Sequence, residues 1–306
     1  MRTWSTIEED AATMSLDVQS PELRTSPNAD FGIRPYTVNL GALVSGIDLS
    51  QRLGAEARVA LQRALRQHGV LFFRDQQLDP ESVLEVARIF GEPLRHNPYL
   101  PSLEQTSGVE IIESGTGQRL ANESWHADVT WQHQPPKATL LYAVELPRQG
   151  GDTVWASSTG AYRSLHPLLA AYLETLTAVN FVDANGYHRA PEGDELLDEL
   201  RAKYPPIDVP VIGTHPETGE KYVFVNELHT TYIQGVSRTT GESLLRILFG
   251  ALENPELHAR FVWQPRSLAV WDNRLVQHRA IHDYGDQRRV LYRVTIAEHG
   301  AAARLD

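Results

Sequence analysis

Residues 288–298, RRVLYRVTIAE, restrict the fold more than any other stretch of the chain. Successive side chains of a strand point to opposite faces. Val290, Tyr292, Val294 and Ile296 therefore share one face, and Arg289, Leu291, Arg293 and Thr295 the other. The apolar set is what a sheet packs against its neighbours. On an ordinary exposed strand the two arginines are a solvated face. Inside a barrel mouth they become forks for two carboxylates or similar anions.

Strand character recurs along the chain. VLFFRDQ (70–76) reads as a buried strand, and ATLLYAVEL (138–146) and DTVWAS (152–157) flank a Gly150-Gly151 turn. VPVIGTHPETGEKYVFVN (209–226) reads as a hairpin turning at Gly219, and FVWQPRSLAVWDN (261–273) as a further strand. Residues 33–49 alternate like a strand broken by Gly41 and Gly46. Helical spacing appears at Ala57, Leu61, Ala64, Leu65 and His68, closed by Gly69. It appears again after Asp79-Pro80, where Val83, Val86, Ala87 and Phe90 form a stripe that Gly91 ends. A helical pair is expected at about 159–178 and a further helix at 241–254. Short strands with helices packed outside predict a mostly β fold with a double-stranded β-helix, or jelly-roll, core.

Residues 1–32 are polar and acidic and read as an extended or poorly ordered N-terminal segment, leaving 33–306 as one domain. The charge-rich 182–206 stretch is a candidate lid. With 306 residues, 42% of them apolar, the chain can bury a large core unaided. It has no cysteine, which excludes disulfides, zinc–thiolate sites, iron–sulfur clusters and thiol nucleophiles. A formal net charge of −11 argues against nonspecific nucleic-acid binding through a broad basic surface. No apolar run has the length of a membrane span, and no signal peptide is visible, so a cytoplasmic location is expected. Gly-rich phosphate loops and dinucleotide fingerprints are missing.

Within NESWHADVTW (122–131), His126 and Asp128 are two apart, so on a strand they project from one face. An imidazole and a carboxylate side by side suit a metal site. Ordinary composition supplies roughly one such triplet by chance, so it decides nothing alone. His278, in WDNRLVQHRAIHDYGDQRR, comes after a strand and before the turn that leads to Arg289. It is either a candidate third ligand or a plain core or surface histidine.

Taken together, GVLFFRDQ, WHADVTW, PPKATLLYAVELPRQGGDTVWAS, THPETGEKYVFVN and WDNRLVQHRAIHDYGDQRRVLYR resemble the iron(II)/2-oxoglutarate-dependent dioxygenases related to taurine dioxygenase and the 2,4-D-degrading enzymes. The resemblance spans most of the chain beyond the N-terminal segment. It implies His126, Asp128 and His278 as ferrous-iron ligands, with 2-oxoglutarate and O2 as co-substrates. Arg289 and Thr153 are implied partners of the distal carboxylate of 2-oxoglutarate. Related halogenating enzymes lack the carboxylate ligand, so Asp128 implies oxygenation rather than chlorination.

Arg293 falls where taurine dioxygenase holds its sulfonate, and His96, Tyr99 and Asn122 are implied companions in an anion pocket, with His282 as a further candidate. Trp131, Phe181 and Tyr187 are candidates for apolar walls. The implied substrate is a small to medium organic anion: a sulfonate, alkyl sulfate, aryloxyalkanoate or amino-acid-derived carboxylate. Hydroxylation, with cleavage or desaturation after it, is the implied reaction. Relatives are often dimers or tetramers, so a homo-oligomer is expected. Two other functions compete: a zinc-dependent hydrolase on the same triad, and a non-catalytic jelly-roll binding module.

Overall fold

In the computed structural model, residues 24–25, 31–94, 102–103, 106–115, 123–182, 199 and 201–297 are described. The central strands are buried on both faces, and two of the four sheets among the described residues stack on each other. The larger has ten strands, and from edge to edge nine of them run Arg24–Thr25, Gly32–Pro35, Ala42–Ser45, Val70–Phe73, Leu268–Asp272, Ala138–Glu145, Arg289–Ala297, Thr106–Ser114 and Ser102–Leu103. The tenth, Glu92–Pro93, adds to Arg289–Ala297 off this path. The smaller sheet places Thr153–Ser157 between His258–Phe261 and Val276–Ala280.

Period-two alternation sorts the side chains into layers. Val70, Phe72, Leu141, Ala269, Trp271 and Leu291 of the large sheet meet Trp155, Phe261 and Val276 of the small one in the inter-sheet core. Leu71, Phe73, Leu140, Val270, Val294 and Ile296 point the other way, against Leu61 and Leu65 of the helix Ala55–His68 and Val83 and Val86 of the helix Pro80–Ala87. Val154 and Ala156, on the far face of the small sheet, pack under the helix Arg238–Leu252. Each fully buried side chain of this size contributes about 1.5–3 kcal/mol, so the alternation itself fixes register. This four-layer order is a jelly roll flanked by helices, as expected.

Capping follows the sequence signals. Asp79 accepts a hydrogen bond from the Ser82 N–H at 2.8 Å, and Gly69 follows the first helix. Residues 212–214 and 221–223 form the hairpin around Gly219. Three expectations need correction. The stripe to Phe90 outruns its helix, which ends at Ala87 before a turn. The helical pair expected at about 159–178 is present as Ser158–Arg163 and Pro167–Leu173, but it stops at Leu173 because Thr177 begins a strand. Residues 261–273 hold the end of the strand His258–Phe261 and the whole of Leu268–Asp272 in a different sheet, because Pro265 and Arg266 (φ 63°) break the run. Within the N-terminal segment, Arg24–Thr25 pairs with Gly32–Ile33.

Candidate metal and anion site

WHADVTW is not a strand. His126 makes one isolated antiparallel bridge with His278, exchanging backbone hydrogen bonds of 3.1 and 2.8 Å. The chain then turns through 128–131, with Val129 at φ 57°. The bridge, not a strand's pleat, sets His126 beside His278, and the turn swings Asp128 in towards both.

The potential ligand atoms of His126, Asp128 and His278 lie within 4.8 Å of one another, and all three residues are buried. Asp128 Oδ1 is 4.0 Å from Nε2 of each histidine. Donors at about 2.1 Å from a shared ion sit roughly 3–4 Å apart, so this spacing suits a common cation. His126 Nδ1 lies 2.8 Å from the Ser124 carbonyl, which can only accept; Nδ1 carries the proton and Nε2 offers its lone pair. Burial, then the neighbouring His126, pushes His278 down to about 3. Burial also lowers His126. Both rings are thus neutral at neutral pH. For Asp128, burial opposes ionisation, but Arg293 and the two histidines outweigh it and hold the carboxyl well below the usual range. Two neutral imidazoles and one carboxylate fit ferrous iron and leave coordination positions open.

Arg293 is buried beside this cluster. Its Nη2 lies 3.0 Å from Asp128 Oδ1 and its Nη1 2.5 Å from Glu110 Oε2. Glu110, 1% exposed, sits directly across the strand pair from Arg293. Nothing in the sequence reading pointed to Glu110; the available signal was an acid inside the mostly apolar stretch VEII.

Arg289 is also buried but differently partnered. Its one side-chain hydrogen bond among the described residues runs from Nε–H to the Gly151 carbonyl at 3.1 Å. Burial pushes its pKa down to about 10, still a cation at neutral pH. A buried guanidinium whose terminal nitrogens meet no acceptor among the described residues suits an incoming carboxylate. Thr153 follows the Gly150-Gly151 turn, and its Oγ1 accepts from Trp263 Nε1 at 3.0 Å, so the hydroxyl proton remains to donate. His282 meets the Tyr284 hydroxyl at 3.2 Å, and that hydroxyl meets Ser114, opposite Arg289, at 2.7 Å. Trp131 and Phe181 join one small apolar cluster with Val182 and Tyr204. His96, Tyr99, Asn122, Tyr187 and most of 182–206 lie outside the described residues.

Residues 32–295 match the family described as taurine catabolism dioxygenase TauD, TfdA family. The chain belongs to that family. An alkylsulfatase of Acinetobacter baylyi is 37% identical, over 89% of this chain and 86% of its own. An alpha-ketoglutarate-dependent sulfate ester dioxygenase of Pseudomonas putida is 36% identical, over 90% of this chain and 92% of its own. Among solved structures, a taurine dioxygenase from Burkholderia xenovorans superposes with a TM-score of 0.76 at 30% identity, covering 88% of this chain and 90% of that one. This TauD/TfdA member is an alpha-ketoglutarate-dependent dioxygenase that uses Fe(II), 2-oxoglutarate and O2. The hydrolase and binding-module alternatives do not fit these relatives. No helix among the described residues is long and apolar enough to cross a membrane.

Proposed function

We propose that this dioxygenase hydroxylates a small organic anion, with alkyl sulfate esters as the first substrate class. His126, Asp128 and His278 hold the iron. Arg289 and Thr153 hold the distal carboxylate of 2-oxoglutarate, and Arg293 binds the substrate anion. The observation that carries this reading is the 3.0 Å approach of Arg293 to Asp128 Oδ1. An anion held by that guanidinium lies beside the metal ligands, and the rest of the substrate is oriented from that fixed point.

Iron and 2-oxoglutarate, when bound, would activate O2, the oxidant that breaks a C–H bond. The protein contributes orientation and exclusion of water. Arg293 has five N–H donors and spends two of them on Glu110 and Asp128, so it can still grip a sulfate. Hydroxylation of the carbon bearing the ester oxygen gives a product that collapses to an aldehyde and inorganic sulfate. One O2 and one 2-oxoglutarate are consumed, yielding succinate and CO2. The two curated relatives described as an alkylsulfatase and a sulfate ester dioxygenase support this class.

The test is a panel of alkyl sulfates, sulfonates and aryloxyalkanoates, with succinate and sulfate quantified. Stoichiometric sulfate and succinate, dependent on O2, is the expected result. Sulfate release without O2, or no member of the panel stimulating succinate formation, would overturn the proposal.

A further inference from the structure

The WDN tripeptide before His278 has no part in the site as built so far. Its tryptophan and asparagine lead to Asp128. Trp271 is 1% exposed, and its indole N–H, which can only donate, points at Asn273 Oδ1 from 2.9 Å. That contact fixes which end of the Asn273 amide is oxygen. The same oxygen lies 3.4 Å from the Asp128 backbone nitrogen, and Nδ2 is left facing Thr139 Oγ1 at 3.1 Å. An amide N–H can only donate, so Thr139 must direct its own proton elsewhere. Its remaining partner is Asp128 Oδ2, at 2.6 Å.

Each bond in this chain therefore has its direction set by the one before it. The base is rigid: Thr139 is fully buried in a central strand, with Trp271 paired on one side and Thr295 on the other. The result divides the Asp128 carboxylate. Oδ2 is taken by Thr139, and Oδ1 meets Arg293 Nη2 at 3.0 Å and faces both histidine Nε2 atoms at 4.0 Å.

We propose that Thr139 and Asn273 are positioning residues that hold Asp128 as a one-oxygen ligand. The proposal rests on reading Asp128 as a metal ligand. A carboxylate free to rotate can offer both oxygens to a cation and take up a coordination position that the co-substrates need. Partners one step out from a metal ligand typically change metal affinity or activity by about 10–100-fold when removed.

The test is Mn(II) titration of the wild-type protein and of Thr139→Val, Thr139→Ala and Thr139→Ser, with calorimetry and with water-proton relaxation to count exchangeable positions on the ion. Val keeps the shape and loses the hydroxyl, Ala loses both, and Ser keeps the hydroxyl alone. The expected outcome is Mn(II) binding about 10–100-fold weaker in the folded hydroxyl-less variants, with fewer exchangeable waters, and Ser within about threefold of wild type. Val or Ala binding Mn(II) like wild type would overturn the relay, as would Ser being as weak as Ala. Wild-type protein that fails to bind Mn(II) would instead overturn the metal reading of Asp128.

Discussion

Replacing Gly151 with alanine should weaken 2-oxoglutarate binding without touching His126, Asp128 or His278, the proposed metal ligands. Gly151 has φ +74°, and a Cβ built there meets Arg289 Cδ at 3.1 Å, Arg289 Nε at 3.2 Å and Pro147 Cγ at 3.3 Å. Ordinary carbon contacts lie near 3.5–4.0 Å, so Arg289 must retreat by several tenths of an ångström. Its Nε hydrogen bond to the Gly151 carbonyl, now 3.1 Å, would be disturbed in the same movement. A two-point guanidinium–carboxylate contact depends on position, and losing one of its charge-assisted bonds costs about 1.5–3 kcal/mol. At 1.4 kcal/mol per factor of ten, that is roughly a 10–100-fold rise in the 2-oxoglutarate requirement. Backbone strain adds about 1–2 kcal/mol of lost stability. Gly219 isolates the strain, because it has φ +73° with nothing within 4 Å of a built Cβ. Gly219→Ala should lower the melting temperature by a few degrees, about 2–4 °C per kcal/mol, and leave co-substrate binding unchanged. The assay is anaerobic titration of 2-oxoglutarate into the Fe(II)-loaded variants, following the visible band of the chelate. If Gly151→Ala binds 2-oxoglutarate within twofold of wild type, Arg289 does not hold the distal carboxylate as argued.

Arg293→Ala should raise the substrate KM far more than the 2-oxoglutarate KM, and equal effects on both would refute the division of labour between the arginines. That change also breaks the buried Arg293–Glu110 ion pair, and breaking a buried ion pair costs about 3–5 kcal/mol. Adding Glu110→Gln should recover much of the stability and none of the substrate affinity, as read by urea unfolding and steady-state kinetics. Asp272 is fully buried, and Arg274 (Nη2 at 2.7 Å) and His215 (3.2 Å) hold it. Burial alone would raise its pKa; these hydrogen bonds outweigh burial and bring it from 3.8 to about 2. A depressed carboxyl stabilises the fold fully above its unfolded pKa and loses that contribution as pH falls through the folded value. The contribution is about 2 kcal/mol at neutral pH and about half that at pH 3. Asp272→Asn should cost about 3–5 kcal/mol at pH 7 and progressively less in acid, measured by urea unfolding across that range; a cost independent of pH would contradict the linkage.

The parts of this site that the sequence displayed are those carried by local pattern. Strand alternation put Arg289 and Arg293 on one face, and the structure buries both beside the inter-sheet core. Gly69, Asp79 and Gly219 marked turns and caps through their own backbone preferences, which tertiary contacts did not override. What failed locally is decided by distant partners. WHADVTW has strand composition but only one position, His126, with a partner to bridge, and that partner is His278. Glu110 belongs to the site because strand register sets it opposite Arg293, and register is not written in either strand alone. Thr139 looked like one more β-branched strand residue; its function depends on a hydrogen bond from Asn273, far along the chain.

Charge around the centre bears on which anions suit it. Asp128 and Glu110 are matched in number by Arg289 and Arg293, so these four buried groups cancel, and the two histidines are neutral. A divalent cation and the dianion 2-oxoglutarate cancel in turn. If Arg293 binds the substrate as proposed, the anion enters a centre with no net charge among these groups, and the orientation of the Arg293 donors would draw it rather than a surplus of positive charge. Burying one negative charge against a fixed guanidinium is sustainable there, because the pair is then hydrogen-bonded. A second negative charge has no counter-ion among these groups and would be taken from water uncompensated, at a cost of several kcal/mol. Sulfate monoesters and sulfonates carry one charge at neutral pH, whereas phosphate monoesters carry about 1.5–2. Without Glu110 these groups would carry one positive charge, which a monoanion cancels and a dianion exceeds, so the acid raises the cost of every added negative charge. The acid behind the arginine thus weighs against doubly charged phosphorus oxyanions more than against singly charged sulfur ones.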